Sequence, residues 1–406
     1  MLQEKVIYPE MAPRGEIKIE LFDELTGRKV DEANTHNFIS KAVGSYLYRL
    51  AIKGLFIRNK ATGGRDVYGD IRDVFRTLVL TDASHPEDPD NEWLLKGKEI
   101  GYAHTHETYS GSDVLRGTYN TKESYTNLER VHMVFDFPSH AGNGVFQSLY
   151  FIGESEVLMY NWQTTLPNYF NRPLQYNVAG KYHNGLIYVL GTDTSSTGST
   201  SSGSSNKLRV FDKQFNLLNE YNLPSSFEDF EIVGDKIYFA RNSSSQPLYV
   251  ADLNNPAAAT PVSVSLPNNY NARGIVWDGS KFIVSSSGAT HQITELDSNF
   301  NAINNKEIGS LASGSAKLRF EEGQLLITTN YYTERTRRVS SDYSLSNFNM
   351  PDFLCVFDDK MLLNSGYVMP KMNIASRALL DAPVTKTDQY TMKITYDFVL
   401  DIATEG

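Results

Sequence analysis

The stretches "VFDKQFN" (Val210 to Asn216) and "ELDSNFN" (Glu295 to Asn301) carry the same pattern 85 residues apart: an apolar residue, Asp, two variable residues, Phe, Asn. A chain that repeats a phrase at a fixed period builds one supersecondary unit several times, and this limits its fold more than any other feature. Aligning on the aspartate adds "YVADLNN" and "RVSSDYS", so that Asp212, Asp252, Asp297 and Asp342 stand 40, 45 and 45 residues apart. A second series, in which a turn precedes a short apolar run, places Ile187, Ile237, Phe282, Leu325 and Met361 in equivalent positions at intervals of 50, 45, 43 and 36. Within one unit, "FEDFEIVGDKIYFAR" reads as two strands joined by a Gly-Asp turn at Gly234 and Asp235. "PLYVADLNNPAAATPVSVSL" then supplies two more strands. Four strands per repeat of about 40 to 45 residues is the signature of a β-propeller blade. Five runs predict five blades, or six if "SEVLMYNWQ" contributes strands. The recurrent aspartates are expected at the ends of third strands, accepting backbone N–H bonds in Asx turns. The Ser/Gly/Thr-rich segment Gly191 to Asn206 is expected to project as a loop.

The ends of the chain follow another rule. "GEIKIELFDELTGRKV" alternates Ile17, Ile19 and Leu21 on one face before a turn at Thr26-Gly27, an amphipathic hairpin. "THNFISKAVGSYLYRLAIKG" spaces Phe38, Ile39, Ala42, Val43, Tyr46, Leu47, Leu50 and Ala51 as one helical face, which predicts a long helix over about 36–53. "VFRTLVLTDAS", "ERVHMVFDFPS" and "GVFQSLYFIG" read as strands. "YTMKITYDFVLDI" (Tyr390 to Ile402) has their alternation, not that of the repeats, so it is expected to return to them. The predicted class is mainly β: a five- or six-bladed propeller over 154–370, inserted into a β-rich α+β domain made from 1–153 and 371–406.

Composition narrows the function. There are 24 Tyr and 21 Phe, and 38 basic against 48 acidic residues give a net charge of −10. That balance provides no basic footprint for nucleic acid or anionic lipid. The single Cys355 sits in the apolar run "DFLCVF" and reads as a buried, inert thiol. No apolar stretch approaches the length of a membrane span and no signal peptide is legible, so synthesis in a host cytoplasm without membrane insertion is expected. His104 and His106 share one strand face beside Glu107, but no third ligand accompanies them and no metal is expected. Nucleophile-elbow, Walker and His-Glu-x-x-His motifs are missing from the sequence, and the adjacent carboxylates Glu321-Glu322 and Asp358-Asp359 fall in turns. No catalytic residue and no cofactor are assigned. The loops "PNNYNARG" and "NYYTERTRR" combine rings with amides and guanidinium groups, which makes Tyr270, Tyr331 and Tyr332 candidate glycan contacts.

The stretches "GEIKIELFDELTGRKVDEANTHNFIS", "GSDVLRGTYN", "VHMVFDFPSHAGNGVFQSLYF" and "ASRALLDAPVTKTDQYTMKITYDFVL" resemble tailed-bacteriophage virion structural proteins of phages of Gram-positive hosts. The resemblance covers roughly residues 14–152 and 373–402 and leaves out the repeats. It implies a tail, tail-fibre or minor structural protein located in the virion. Expected partners are other virion proteins, further copies of itself as a homo-oligomer, and a host cell-wall glycan bound by the propeller. The alternatives are a collar, baseplate or capsid-decoration protein whose propeller is only a docking platform, and a propeller glycan hydrolase.

Overall fold

The computed structural model of the chain describes residues 14–40, 75–89, 92–127, 130–153, 164–165, 177–191, 205–264, 266–287, 290–308, 316–328, 336–346, 353–363, 367–371 and 374–399. They fall into two units, one from 1–161 and 372–406 and one from 162–371.

The first unit is one sheet built from both ends of the chain. Its strands are β1 (Arg14–Asp23), β2 (Lys29–Ile39), β3 (Thr77–Thr81), β4 (Glu99–His104), β5 (Thr118–Tyr119), β6 (Tyr125–Thr126), β7 (Arg130–Phe137), β8 (Gly144–Ile152), β28 (Ile374–Lys386) and β29 (Tyr390–Val399). They run in the order β4-β3-β8-β28-β2-β1-β29-β7-β5, with β6 also on β7. The two ends of that path nearly meet. Tyr102 of β4 donates its N–H to the Leu115 carbonyl (2.8 Å) and accepts from Gly117 (2.8 Å), just before β5. The sheet is therefore a nearly closed barrel, and alternation along the strands sends one set of side chains inward. Ile17, Ile19, Leu21, Met392, Ile394, Tyr396 and Phe398 are all buried. Phe75 lies edge-on to Phe151 (5.4 Å) and Phe398 (5.5 Å), and Phe151 edge-on to Tyr396 (4.7 Å).

The hairpin at the start forms, its turn closed by Asp23, whose Oδ1 accepts from the Thr26 N–H (2.8 Å) and hydroxyl (2.7 Å). The long helix predicted over 36–53 does not: residues up to Ile39 belong to β2, and there is no long helix among the described residues. Residues 41–53 lie outside them. Phe38 and Ile39 pair with Arg377 and Ser376 of β28, while the body of β2 pairs with β1. Partners on both sides outweigh a helical periodicity, because local propensity is a weak prior against tertiary pairing.

The second unit repeats a smaller sheet. β10 (Asn177–His183), β11 (Leu186–Gly191), β12 (Ser205–Phe211) and β13 (Leu217–Phe227) form the first blade. β14 (Asp229–Val233), β15 (Lys236–Ala240), β16 (Leu248–Asp252) and β17 (Thr260–Pro261) form the second, and β18 (Asn271–Trp277), β19 (Phe282–Ser287), β20 (His291–Leu296) and β21 (Ala302–Glu307) the third. β22 (Lys317–Glu321), β23 (Gln324–Thr328) and β24 (Thr336–Val339) form a sheet of three strands. β25 (Phe353–Phe357), β26 (Lys360–Leu363) and β27 (Tyr367–Pro370) are completed by β9 (Thr164–Thr165), which comes from the beginning of the unit. The propeller-like arrangement thus has four complete blades, not the five or six predicted. The error came from counting turn-plus-apolar runs: such a run marks a hairpin, and the hairpin at Lys317–Thr328 gains only one more described strand.

Each apolar run is apolar on both faces because a neighbouring sheet covers each side. Tyr188, Leu190, Leu208 and Val210 pack with Phe230, Phe239 and Tyr249 of the next blade, and Ile187, Val189 and Phe211 with Leu354, Phe357 and Leu362 of the last. Burying one such side chain contributes about 1.5–3 kcal/mol.

A buried ion pair holds the loop between β3 and β4 onto the barrel. Arg377, 0 % exposed, places Nη1 3.2 and 3.1 Å from the two carboxylate oxygens of Glu92, and Nη2 donates to Ser148 Oγ (3.0 Å) and the His85 carbonyl (2.7 Å). Tyr150 adds its hydroxyl to Glu92 (3.1 Å) and its ring below the guanidinium. Removing one partner of such a pair strands a buried charge. Arg377→Met is expected to destabilise the barrel unit by about 3–5 kcal/mol in chemical denaturation, and adding Glu92→Gln in the same chain is expected to recover part of the loss.

Candidate functional site

In a propeller the inner strands converge on an axis, and that is where this chain concentrates charge. β10 lies beside β14 and β25, β14 beside β18, and β18 beside β22. The approach is close: a Cβ on Gly274 would fall 2.5 Å from the Ala316 carbonyl oxygen, and one on Gly180 2.8 Å from Leu354 Cβ. At the centre, Asp229 of β14 accepts through Oδ2 from the backbone N–H groups of Ile275 (3.3 Å) and Leu318 (3.1 Å). Arg319 of β22 reaches Asp229 Oδ1 through Nη1 (3.1 Å) and donates from Nε to the Leu354 carbonyl (3.1 Å). One carboxylate and one guanidinium thereby tie four inner strands together. Both are buried, which a charged pair tolerates only when its hydrogen-bonding capacity is met.

Polar groups continue along the axis in both directions. Towards the hairpin turns, Lys181 Nζ is 2.8 Å from Glu231 Oε2, which also accepts from the Trp277 N–H (3.4 Å). Glu321 joins them. Burial, helped by the charge of Glu231, pushes its carboxyl up to about 7, although Lys181, Arg319 and Lys371 pull the other way. Towards the starts of the inner strands, Arg273 holds Ser287 Oγ (2.7 Å) and Glu228 (3.3 Å). The Glu228 carboxyl is raised by burial, and Arg273 and Lys317 oppose the shift. Burial and Arg273 hold His291 towards its neutral form. These groups neutralise one another across blade boundaries.

The residues predicted from sequence lie elsewhere. Tyr270 follows the 3-10 turn Pro267–Asn269 and is half-buried, its N–H bonded to the Pro267 carbonyl (3.3 Å). Tyr331 and Tyr332 lie outside the described residues. His104 Nδ1 is 2.8 Å from Thr77 Oγ1, His106 packs its ring 4.8 Å from Tyr119, and Glu107 pairs with Arg76 (2.5 Å) and Arg116 (3.0 Å). Cys355 is buried, which pushes its thiol up to about 12. Asp358 holds Lys213 (2.8 Å) in its turn, but Glu321 faces the axis instead of solvent. Sequence reasoning missed Asp229, Glu231, Arg319 and Lys317. The signal was there: "DFE" and "KLRFE" put a charge at every second position of a strand otherwise apolar, and period two is one face.

No family model matches the sequence, and no curated protein does. Among solved structures, the chain is similar to the WD40 β-propeller domain of Doa1, at 14 % identity over 50 % of this chain and 63 % of that one, TM-score 0.29. It is also similar to the β-propeller domain of the Trilobed protease from Pyrococcus furiosus, at 14 % identity over 46 % and 62 %, TM-score 0.25. A third is a glutaminyl cyclase from Myxococcus xanthus, at 9 % identity over 52 % and 94 %, TM-score 0.34. The propeller-like arrangement itself is read from the strand order given above.

A carboxyl whose folded pKa exceeds its unfolded value binds its proton more tightly in the folded state, so stability falls as pH rises between the two. For Glu321 that window runs from its ordinary value near 4.5 to about 7. Glu321→Gln is expected to raise the melting temperature above pH 7 and to change it little near pH 4, as calorimetry across that range would show.

Proposed function

We propose that this chain is a non-enzymatic bacteriophage virion component of tail-fibre or baseplate type, whose barrel unit attaches it to the particle and whose inserted propeller is displayed to contact a host-surface glycan. The observation that carries the reading is the pairing of Ile374 with Ile152. β8 ends and β28 begins as direct antiparallel partners, so the chain leaves the barrel sheet and re-enters it at one point. An excursion of that kind can be exchanged without disturbing its host sheet, and loop closure grows by only about 0.6 kcal/mol per doubling of length. The likeness of both chain ends to virion structural proteins, with the repeats excluded from it, has the same boundary.

Binding, not catalysis, suits the propeller because its axial charges are matched in inter-blade pairs, while its connecting loops are free to vary. In this reading Tyr270, half-buried after the Pro267–Asn269 turn, is the described residue that would contact the glycan. The partners in this reading are other virion proteins and further copies of the chain.

The test is a phage in which residues 154–373 are replaced by a short Gly-Ser turn joining Gly153 to Ile374. Particles are expected to assemble and to contain the shortened protein, detected by mass spectrometry of purified virions, but to lose adsorption to host cells. Failure of the shortened chain to enter particles, or adsorption unchanged without the propeller, would overturn the proposal.

A further inference from the structure

We infer that the barrel unit has a binding site of its own, a cleft shaped for a neutral pyranose bearing a methyl-tipped substituent such as an N-acetyl group. The cleft has a volume of about 490 Å³, and its lining includes Tyr109, Ser110, Asp136, Phe137, Met392 and Lys393. A cavity of that size with an apolar floor and a few converging polar groups is what small-ligand sites have in common.

The wall is the first argument. Tyr109 is fixed from three directions: its N–H bonds Thr118 Oγ1 (2.8 Å), its phenol oxygen accepts from the Asp113 N–H (3.1 Å), and the Arg116 guanidinium sits 4.4 Å from its ring centroid. Gly111 passes so close that a Cβ there would lie 2.3 Å from the phenol oxygen. A half-buried ring held this firmly needs no further ordering when a flat apolar sugar face stacks on it. The polar side is the second. Asp136 is half-buried beside the cleft, with Asn120 Nδ2 2.8 Å from its Oδ2. Burial raises the Asp136 carboxyl, and Lys393 opposes that. Lys393 itself is anchored to Glu123 at 2.7 and 2.6 Å. Asp136, Lys393 and Glu123 together sum to −1, which disfavours an anionic ligand and leaves carboxylate oxygens to accept sugar hydroxyls. Phe22 and Pro138, both half-buried in the lining, present the apolar surface that suits a methyl group.

The test uses the full chain and saturation-transfer NMR with N-acetyl-D-glucosamine and its β-1,4 dimer, and D-glucose as the unsubstituted comparison. Saturable binding is expected, weakened about tenfold by Tyr109→Ala or Asp136→Asn. Ser110→Trp, an exposed position that fills the cleft without touching the core, is expected to abolish it at an unchanged melting temperature. Tyr270→Ala is expected to leave it intact, which separates this cleft from glycan contact by the propeller. No saturable binding, binding that survives Ser110→Trp, or binding lost instead with Tyr270→Ala would each overturn the inference.

Discussion

An open β-sheet ends in two rows of unpaired N–H and C=O groups, and the disposal of those edges governs both units of this protein. In the barrel unit the order β28-β2-β1-β29-β7 sets the last two strands of the chain among its first. β29 fills the gap between β1 and β7, in unbroken register with each. Without it β1 and β7 would each present a long unpaired edge. In the propeller unit the same problem is met by β9, which supplies the outer strand of the last blade from the other end of the unit. Both closures join strands distant in sequence, so neither unit can be completed until nearly all of its chain is present, and slow, cooperative formation follows from contacts of that range.

The repeated phrase that opens the sequence has a mechanical meaning. After the third strand the backbone turns back, with Asp212 N–H bonded to the Asn216 carbonyl (3.2 Å) and Asp297 N–H to that of Asn301 (3.0 Å). Each Asp accepts from the backbone N–H groups two and four residues on, and its other oxygen takes the Asn side-chain amide. The Phe between them is forced to φ 64° in both copies. A bulky residue in that region is strained, and the Asp–Asn clamp offsets the strain. The benefit is a contact with the preceding blade: Phe215 meets Phe357 at 5.8 Å, and Phe300 meets Tyr238 at 5.8 Å. In the three-stranded sheet, Tyr343 at φ 67° has the same place and bonds Glu295 of the blade before it. There Ser340, not Asp342, is the counterpart of Asp212, since its N–H closes the turn onto Ser344 (2.9 Å). The alignment on aspartate was two residues out of register because chemistry at one position had been exchanged while the turn was kept. Asp252 departs further and pairs with Lys236.

What could be read from the sequence follows from range. Hairpins, their turns and the period of the repeat are local, and they were legible. The helix over 36–53 failed because Phe38 and Ile39 are claimed by β28, more than three hundred residues away in the chain, and the spacing of apolar residues contains no information about such a partner. Blade completeness failed for a related reason: an outer strand is exposed on one edge, polar, and carries little pattern. β21 is the clearest case, with "AINNKE" largely exposed. The axial charges were legible in principle, as alternation within β14 and β22. They were passed over because an isolated Asp or Arg in a strand reads as an exposed residue until neighbouring inner strands are seen to enclose it.

That enclosure also fixes how the blades align with one another. Register between blades is set at the axis, where Asp229 accepts from β18 and β22 and Arg319 reaches β14 and β25. A shift of one residue on β14 or β22 would turn a buried charge outward and an apolar side chain into its place. The inner strands are therefore held to one alignment by buried charge, which contributes specificity even where its net contribution to stability is small. The outer strands make no axial contact, so their lengths can differ from blade to blade while the ring of inner strands keeps its alignment.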